Sequence, residues 1–289
     1  MRSIALKKAA MEKILLAIDA IHPDRNALDF SCYLGRLTKS AITGVFLENL
    51  AIEQRPIMQN IYTNDFIGAG AENPSEAYLA KMECIDKNIF LFKEACSNRE
   101  VSYNVHRDRG VPIYELIEET RYADLLVVDP STSFNKRYES SPTSFIRNLL
   151  KKSECPVIIA AENFEAIDEV IFSYNASASS VFAIKHFTYL FPQLHDKKIR
   201  ILQVNREGEW RGAEKYKFKE WLKYYYANFF FEAIKGDLGT ELFDYLLAKK
   251  NSLLVMGAYG RNALSHFFAK NAAELLIQTV TQPIFIAHW

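Results

Sequence analysis

Leu253-Leu254-Val255-Met256-Gly257-Ala258-Tyr259-Gly260-Arg261, running on through Asn271 and closed by Pro283-Ile284-Phe285-Ile286-Ala287, decides the fold. The apolar run predicts a strand buried on both faces, the glycines a turn, the following residues a helix, and the proline the opening of a second buried strand. Gly-x-x-Gly at a strand end is the form a phosphate cradle takes. Two residues without Cβ let backbone N–H groups approach an anion, and the next helix presents its positive end. Any tight strand-to-helix turn also favours glycine, so the motif alone decides little. The pattern around it occurs twice, and that repetition carries the argument.

The first copy opens on Ile14-Leu15-Leu16-Ala17-Ile18-Asp19, a strand ending in an acid. Apolar spacing predicts a helix over 26–39 and a strand over 42–47. Residues 48–73 carry Pro56, Gly68 and Gly70 without a clean period and read as an inserted loop. A long helix follows over 74–98, then a strand over 101–105, a helix from Gly110-Val111-Pro112 through Thr120, and a strand over 124–129. A helix over 144–152 and the strand Pro156-Val157-Ile158-Ile159-Ala160 close the copy. The second copy repeats this with strands over 170–174, 199–204 and 229–234, a helix ending over 220–226, and Gly236 to Leu242 matching Gly110 to Leu116. Asn175 lies 156 residues after Asp19, whereas Glu241 lies 126 after Glu115, Gly257 128 after Asp129, and Pro283 127 after Pro156. Three nearly constant offsets imply a duplicated unit, and the larger first one places an insertion between the second and third strands of the first copy.

Alternation of strand and helix in each copy predicts an α/β fold of two tandem, open, five-stranded parallel sheets covered by helices. The expected domains span 11–161, with the 48–73 insertion, and 168–289. Ligands of such sheets bind outside the carboxyl ends of the strands. Those ends carry Asp19, Glu48, Gly110 and Asp129 in one copy and Asn175, Asn205, Gly236 and Gly257 in the other.

With 35 basic and 35 acidic residues among 289, the chain has no global field favouring nucleic acid or an anionic membrane. No apolar run approaches the ~18–20 residues of a membrane span. The four cysteines lack metal or redox spacing and read as reduced thiols. Residues 1–10 are basic but without a signal-peptide core, and a cytoplasmic location is expected.

The strand Lys13–Asp19, the Gly110-x-Pro112 helix start, the paired stretches 123–128 and 253–261, and the closing strands 155–159 and 282–286 together resemble the universal stress protein family, as a tandem of two domains. The resemblance implies a Rossmann-like, adenine-nucleotide alpha-hydrolase-like sandwich with a pseudo-two-fold axis, along which strands 156–160 and 283–287 meet antiparallel. It further implies a stress-response role without catalysis. Members that bind ATP or AMP with Mg carry Gly-x-x-Gly, nine residues, then Gly-Ser or Gly-Thr, and an acid ending the first strand. Here Gly257 and Gly260 match, but Lys270-Asn271 stands at the Gly-Ser position and Asn175 replaces the acid. In the first copy Asp19 is present, Asp129-Pro130-Ser131-Thr132 replaces the glycines, and Thr143-Ser144 stands at Gly-Ser. The candidate nucleotide residues are therefore Gly257, Gly260, Arg261, Lys270, Asn271 and Asn175 in the second domain and Asp19 in the first.

Plainer readings stand beside these. Gly257 and Gly260 also suit a purely steric turn, and Asp19 a strand-end acid capping the next turn. The six histidines lack metal spacing, and His266 alone lies in the candidate loop. The aromatic run 221–231 reads as helix core and strand rather than as a base-stacking face, and the serines over 131–144 as a solvated loop. No nucleophile–base pair and no H-x-G-H signature is visible. The functional expectations are a nucleotide-binding stress protein, a nucleotide-free interaction protein with two degenerate pockets, or a slow ATPase. A homodimer and an unidentified protein partner are expected as associations, and the 48–73 insertion is expected to lid the first pocket.

Overall fold

The apolar runs become strands because residues flanked by helices on both sides of a sheet must be apolar in both directions. The computed structural model describes residues 11–50, 76–135, 137–162, 164–210, 212–257 and 282–287. In the first half β1 spans Lys13–Asp19, α1 Arg25–Thr38, β2 Ala41–Asn49, α2 Glu76–Asn98, β3 Tyr103–Gly110, α3 Pro112–Thr120, β4 Leu125–Val128, α4 Ser144–Lys152 and β5 Val157–Ile159. The second half adds β6 Glu169–Ser173, α5 Ala178–Leu190, β7 Lys198–Asn205, α6 Gly212–Leu222, β8 Phe229–Lys235, α7 Leu238–Leu247, β9 Ser252–Gly257 and β10 Ile284–Ala287.

The strand order is β3-β2-β1-β4-β5-β10-β9-β6-β7-β8, the same internal order in both halves. All neighbours are parallel except β5 and β10, where Ile284 faces Ile159 and Ile286 faces Val157 antiparallel. The two tandem five-stranded sheets that the sequence predicts are present, and the antiparallel contact joins them into one ten-stranded sheet in which neither closing edge is left open.

Successive residues of β1 alternate between the two layers. Ile14, Leu16 and Ile18 join a core under α1, α2, α5 and α6, while Leu15 and Ala17 join one under α3, α4 and α7. Each core runs through both halves. At the join Phe285 is fully buried against the rings of Phe187 and Phe191, at 5.3 and 6.2 Å between centroids.

Several boundaries differ from the sequence reading, and β3 differs most: it runs over Tyr103–Gly110 rather than 101–105, staying paired with β2 to its end. β2 continues to Asn49 rather than stopping at 47, because Glu48 and Asn49 keep register with Arg109 and Gly110 of β3. α6 ends at Leu222, and Tyr224, Tyr225 and Tyr226 fold into a closing turn, their N–H groups donating back to Trp221 and Leu222 carbonyls. The rest of the insertion, 51–73, lies outside the described residues, as does its expected lidding role.

Candidate functional site

At the carboxyl end of β1, Asp19 accepts the N–H groups of Ile21 and His22 at 2.8 and 3.2 Å. Asn175 does the same after β6, accepting the Ser177 N–H at 3.1 Å. Both strand-end side chains brace the turn that follows. Asp19 also lines a cavity of about 310 Å³ together with His22, Glu48, Asn49, Lys81 and Ser133.

Glu48 holds the floor of that cavity. Its side chain is fully buried, yet it pairs with Arg107 at 2.7 Å, Lys81 at 3.1 Å and Arg109 at 3.4 Å. Burial works against its ionisation, but the hydrogen bonds and charge of Arg107 and Lys81 outweigh that and hold the carboxyl below its usual range. The alternation Arg107-x-Arg109 puts both guanidinium groups on one face of β3. That period was the sequence signal that β2 needed an acid opposite.

Two serines of the turn after β4, Ser131 and Ser133, donate to carboxylates of the chain itself. Asp129, after β4, accepts both the N–H of Ser131 at 2.8 Å and its hydroxyl. Desolvation raises the Asp129 carboxyl above its ordinary value, against the Ser131 hydrogen bonds, and nearby Asp24 and Glu162 push it further. Glu139 reaches back over the start of α4, where the Ser133 hydroxyl donates to it at 2.8 Å. Burial disfavours the Glu139 charge, but hydrogen bonds from Ser144, Ser133 and Asn135 prevail and lower its pKa. Nothing in the sequence marked Glu139, six residues from Ser133 in a polar turn. Asp129 and Glu139 thus set two carboxylates against the serines of this turn, a chemistry that disfavours an anion there.

Asp129 should therefore cost stability when charged. An acid whose folded pKa is raised is penalised fully above that value, and the penalty lifts as pH falls through it. Asp129→Asn keeps the Ser131 N–H acceptor. It is expected to raise Tm by about 2 °C at neutral pH, with the gain vanishing in mild acid, as followed by thermal unfolding at several pH values.

In the second half the matching position is Gly257, the last residue of β9. A Cβ there would lie 2.5 Å from the carbonyl carbon and oxygen of Ser179, in the first turn of α5. The glycine thus lets helix and strand approach closely, whatever else the turn does. Gly260, Arg261, Lys270, Asn271 and His266 lie outside the described residues. Of the expected second-domain set the structure places Gly257 and Asn175, the latter bound to its own turn.

Among the described residues no group of histidine, cysteine or acidic side chains could hold a metal ion, and no helix is long and apolar enough to cross a membrane. No family model and no curated protein matches the sequence. Solved structures do match. A universal stress protein from Archaeoglobus fulgidus DSM 4304 is 14% identical, covers 96% of each chain and superposes with a TM-score of 0.69. A functionally unknown protein from Pseudomonas aeruginosa PAO1 is 12% identical over 97% of this chain and 93% of its own, with a TM-score of 0.56. A protein from P. aeruginosa UCBPP-PA14, provisionally described as a universal stress protein, is 11% identical over 97% and 94%, with a TM-score of 0.52. These likenesses extend over essentially the whole chain and show the fold.

Proposed function

We propose that this chain, which carries the fold of the universal stress proteins from end to end, serves stress response by binding and not by catalysis. In this reading an adenine nucleotide is confined to the second half. The supporting observation is the contrast at matching strand ends. Asp129 and Glu139 accept from serines of the first half's turn, while the second half presents Gly257 with no side chain. A bound ATP or AMP, with Mg, supplies a compact anion. Gly257 and, by resemblance, Gly260, Arg261, Lys270 and Asn271 supply bare backbone and positive charge to hold it.

Gly257→Asp is a poor probe, since the collision with Ser179 would disturb folding whether or not a nucleotide binds. Native mass spectrometry of the intact chain with Mg-ATP and with AMP is the better test. The expected result is at most one nucleotide per chain, lost in the double variant Arg261→Glu, Lys270→Glu and retained in Asp19→Asn. Two nucleotides per chain, or loss on Asp19→Asn, would overturn the assignment to the second half.

A second reading, a nucleotide-free interaction protein, is favoured by the steric reason for Gly257 and by Asn175 standing where the acid should be. It predicts no bound nucleotide in either form. Slow ATP hydrolysis finds less support, because the first strand-end acid, Asp19, already accepts two backbone N–H groups.

A further inference from the structure

A cavity of about 440 Å³ lies between α1 and α2, over β1 and β2, and shares no lining residue with the one beside Asp19. Its walls are apolar: Leu28 on α1 and Leu91 and Ala95 on α2, with Ile18 of β1 beneath. Leu91 is 43% exposed, so this wall meets solvent where a core residue would meet a neighbour. The volume falls in the range of small-molecule sites, which join apolar walls to a few fixed polar groups.

The second half shows what fills this space when the chain fills it itself. Tyr103 faces Ile42 across β3 and β2 as Phe229 faces Ile199 across β8 and β7, so an offset of 126 residues carries α2 onto α6. Phe92 then matches Phe218, both buried in the same layer, and Ala95 matches Trp221. On β1 the offset of 156 matches Ile18 to Tyr174. Tyr174 and Trp221 are both stacked on Phe218, at 4.7 and 6.0 Å between centroids and 14° between planes. The first half has an isoleucine and an alanine at those two places, and both line the cavity. Flat rings occupy in one copy the room that is open in the other.

The polar groups narrow the chemistry further. The side-chain nitrogen of Asn88, a lining residue, donates to the carbonyls of Ala20 at 2.9 Å and Ile21 at 3.2 Å. Two carbonyls fix which end of the amide is nitrogen, so what Asn88 can offer a ligand is Oδ1, an acceptor. The rim charges balance. Asp29 pairs with Arg99 at 2.6 Å, and Asp24, which caps α1, stands next to Arg25. Two charges of each sign favour neither an anion nor a cation.

We infer that this cavity is a binding site for a neutral, flat aromatic molecule of one or two rings that bears an N–H or O–H. The ring takes the room that Tyr174 and Trp221 fill in the other half, and the donor meets Asn88 Oδ1. The site is independent of the nucleotide reading, which concerns the second half.

Calorimetric titration of the full chain with indole, 2-naphthol and their methylated counterparts, 1-methylindole and 2-methoxynaphthalene, tests it. Saturable binding of indole or 2-naphthol at one site per chain is expected. The methylated forms should bind about three- to tenfold more weakly, because they have nothing to donate. Indole-3-acetate, which adds a carboxylate, should bind no more tightly than indole. Ala95→Trp copies the second half's own filling and should abolish binding, with the Tm of the ligand-free protein unchanged or higher. Ala95→Leu, the milder change, should weaken binding about threefold or more. No saturation by indole or 2-naphthol, equal affinity for the methylated forms, tighter binding of indole-3-acetate, or undiminished binding in both Ala95 variants would each overturn the assignment.

Discussion

Replacing Glu48 with alanine is expected to lower the unfolding free energy by about 3–5 kcal/mol, the penalty of stripping one partner from a buried ionic cluster. Arg107, Lys81 and Arg109 would lose the buried carboxylate that they share, with Arg107 keeping only Asp86 at 3.7 Å among its acidic partners named here. The isosteric Glu48→Gln should lose less, because an amide oxygen still accepts from Arg107. Acid supplies an independent check. The folded carboxyl titrates below its unfolded value. Its contribution is therefore complete above the unfolded carboxylate range and is lost as pH falls through the folded value. Urea unfolding should thus show a wide gap between wild type and Glu48→Gln at neutral pH that narrows in acid. A gap that held constant with pH would mean that the carboxylate charge is not what Glu48 contributes.

The other large effect is expected at the join. Phe285→Ala removes a ring with no exposure from a strand flanked by both halves, at a cost of about 3–5 kcal/mol. Its wider consequence is cooperativity. Both helical layers share cores that run across β5 and β10, so both halves should unfold together. Trp210 and Trp221 report on the second half, and far-ultraviolet circular dichroism on the whole. Their transitions should coincide in wild type and move together in Phe285→Ala. Two separate transitions in wild type would show that the halves are energetically uncoupled.

Much of this architecture was legible in the sequence because buried parallel strands leave a local mark. Leu15 to Ile18, Leu125 to Val128 and Leu253 to Met256 are apolar on both faces, and the offsets between copies betray the duplication. α4 runs over Ser144–Lys152 as the sequence predicts, and the structure adds Thr143 as its cap, accepting the Ile146 N–H, and Lys151 and Lys152 in its last turn. α5 left a weaker mark. Val181, Phe182, Ile184 and Phe187 surround much of its circumference, which blurs the helical period. The antiparallel meeting of the closing strands was expected from the resemblance and not from pattern, since three apolar residues in β5 do not say which edge they pair with. The first pocket was harder still. Asp129 was recognised as a misfit at an anion turn, but its use of Ser131 as an internal partner, and the return of Glu139 over α4, depend on loop geometry that spacing does not encode. The expected second-half residues beyond Gly257 fall outside the described chain, so their reading rests on resemblance alone.

The antiparallel meeting of β5 with β10 has a consequence for how such a molecule can change. When two identical subunits pair, every substitution strikes both, and a pocket cannot be closed on one side while kept on the other. Joined head to tail in a single polypeptide, the partners never separate by dilution. A carboxylate can then settle beside Ser131 while the matching place near Ser179 stays a glycine. Specialisation of one half is free to proceed because assembly no longer depends on the two being alike.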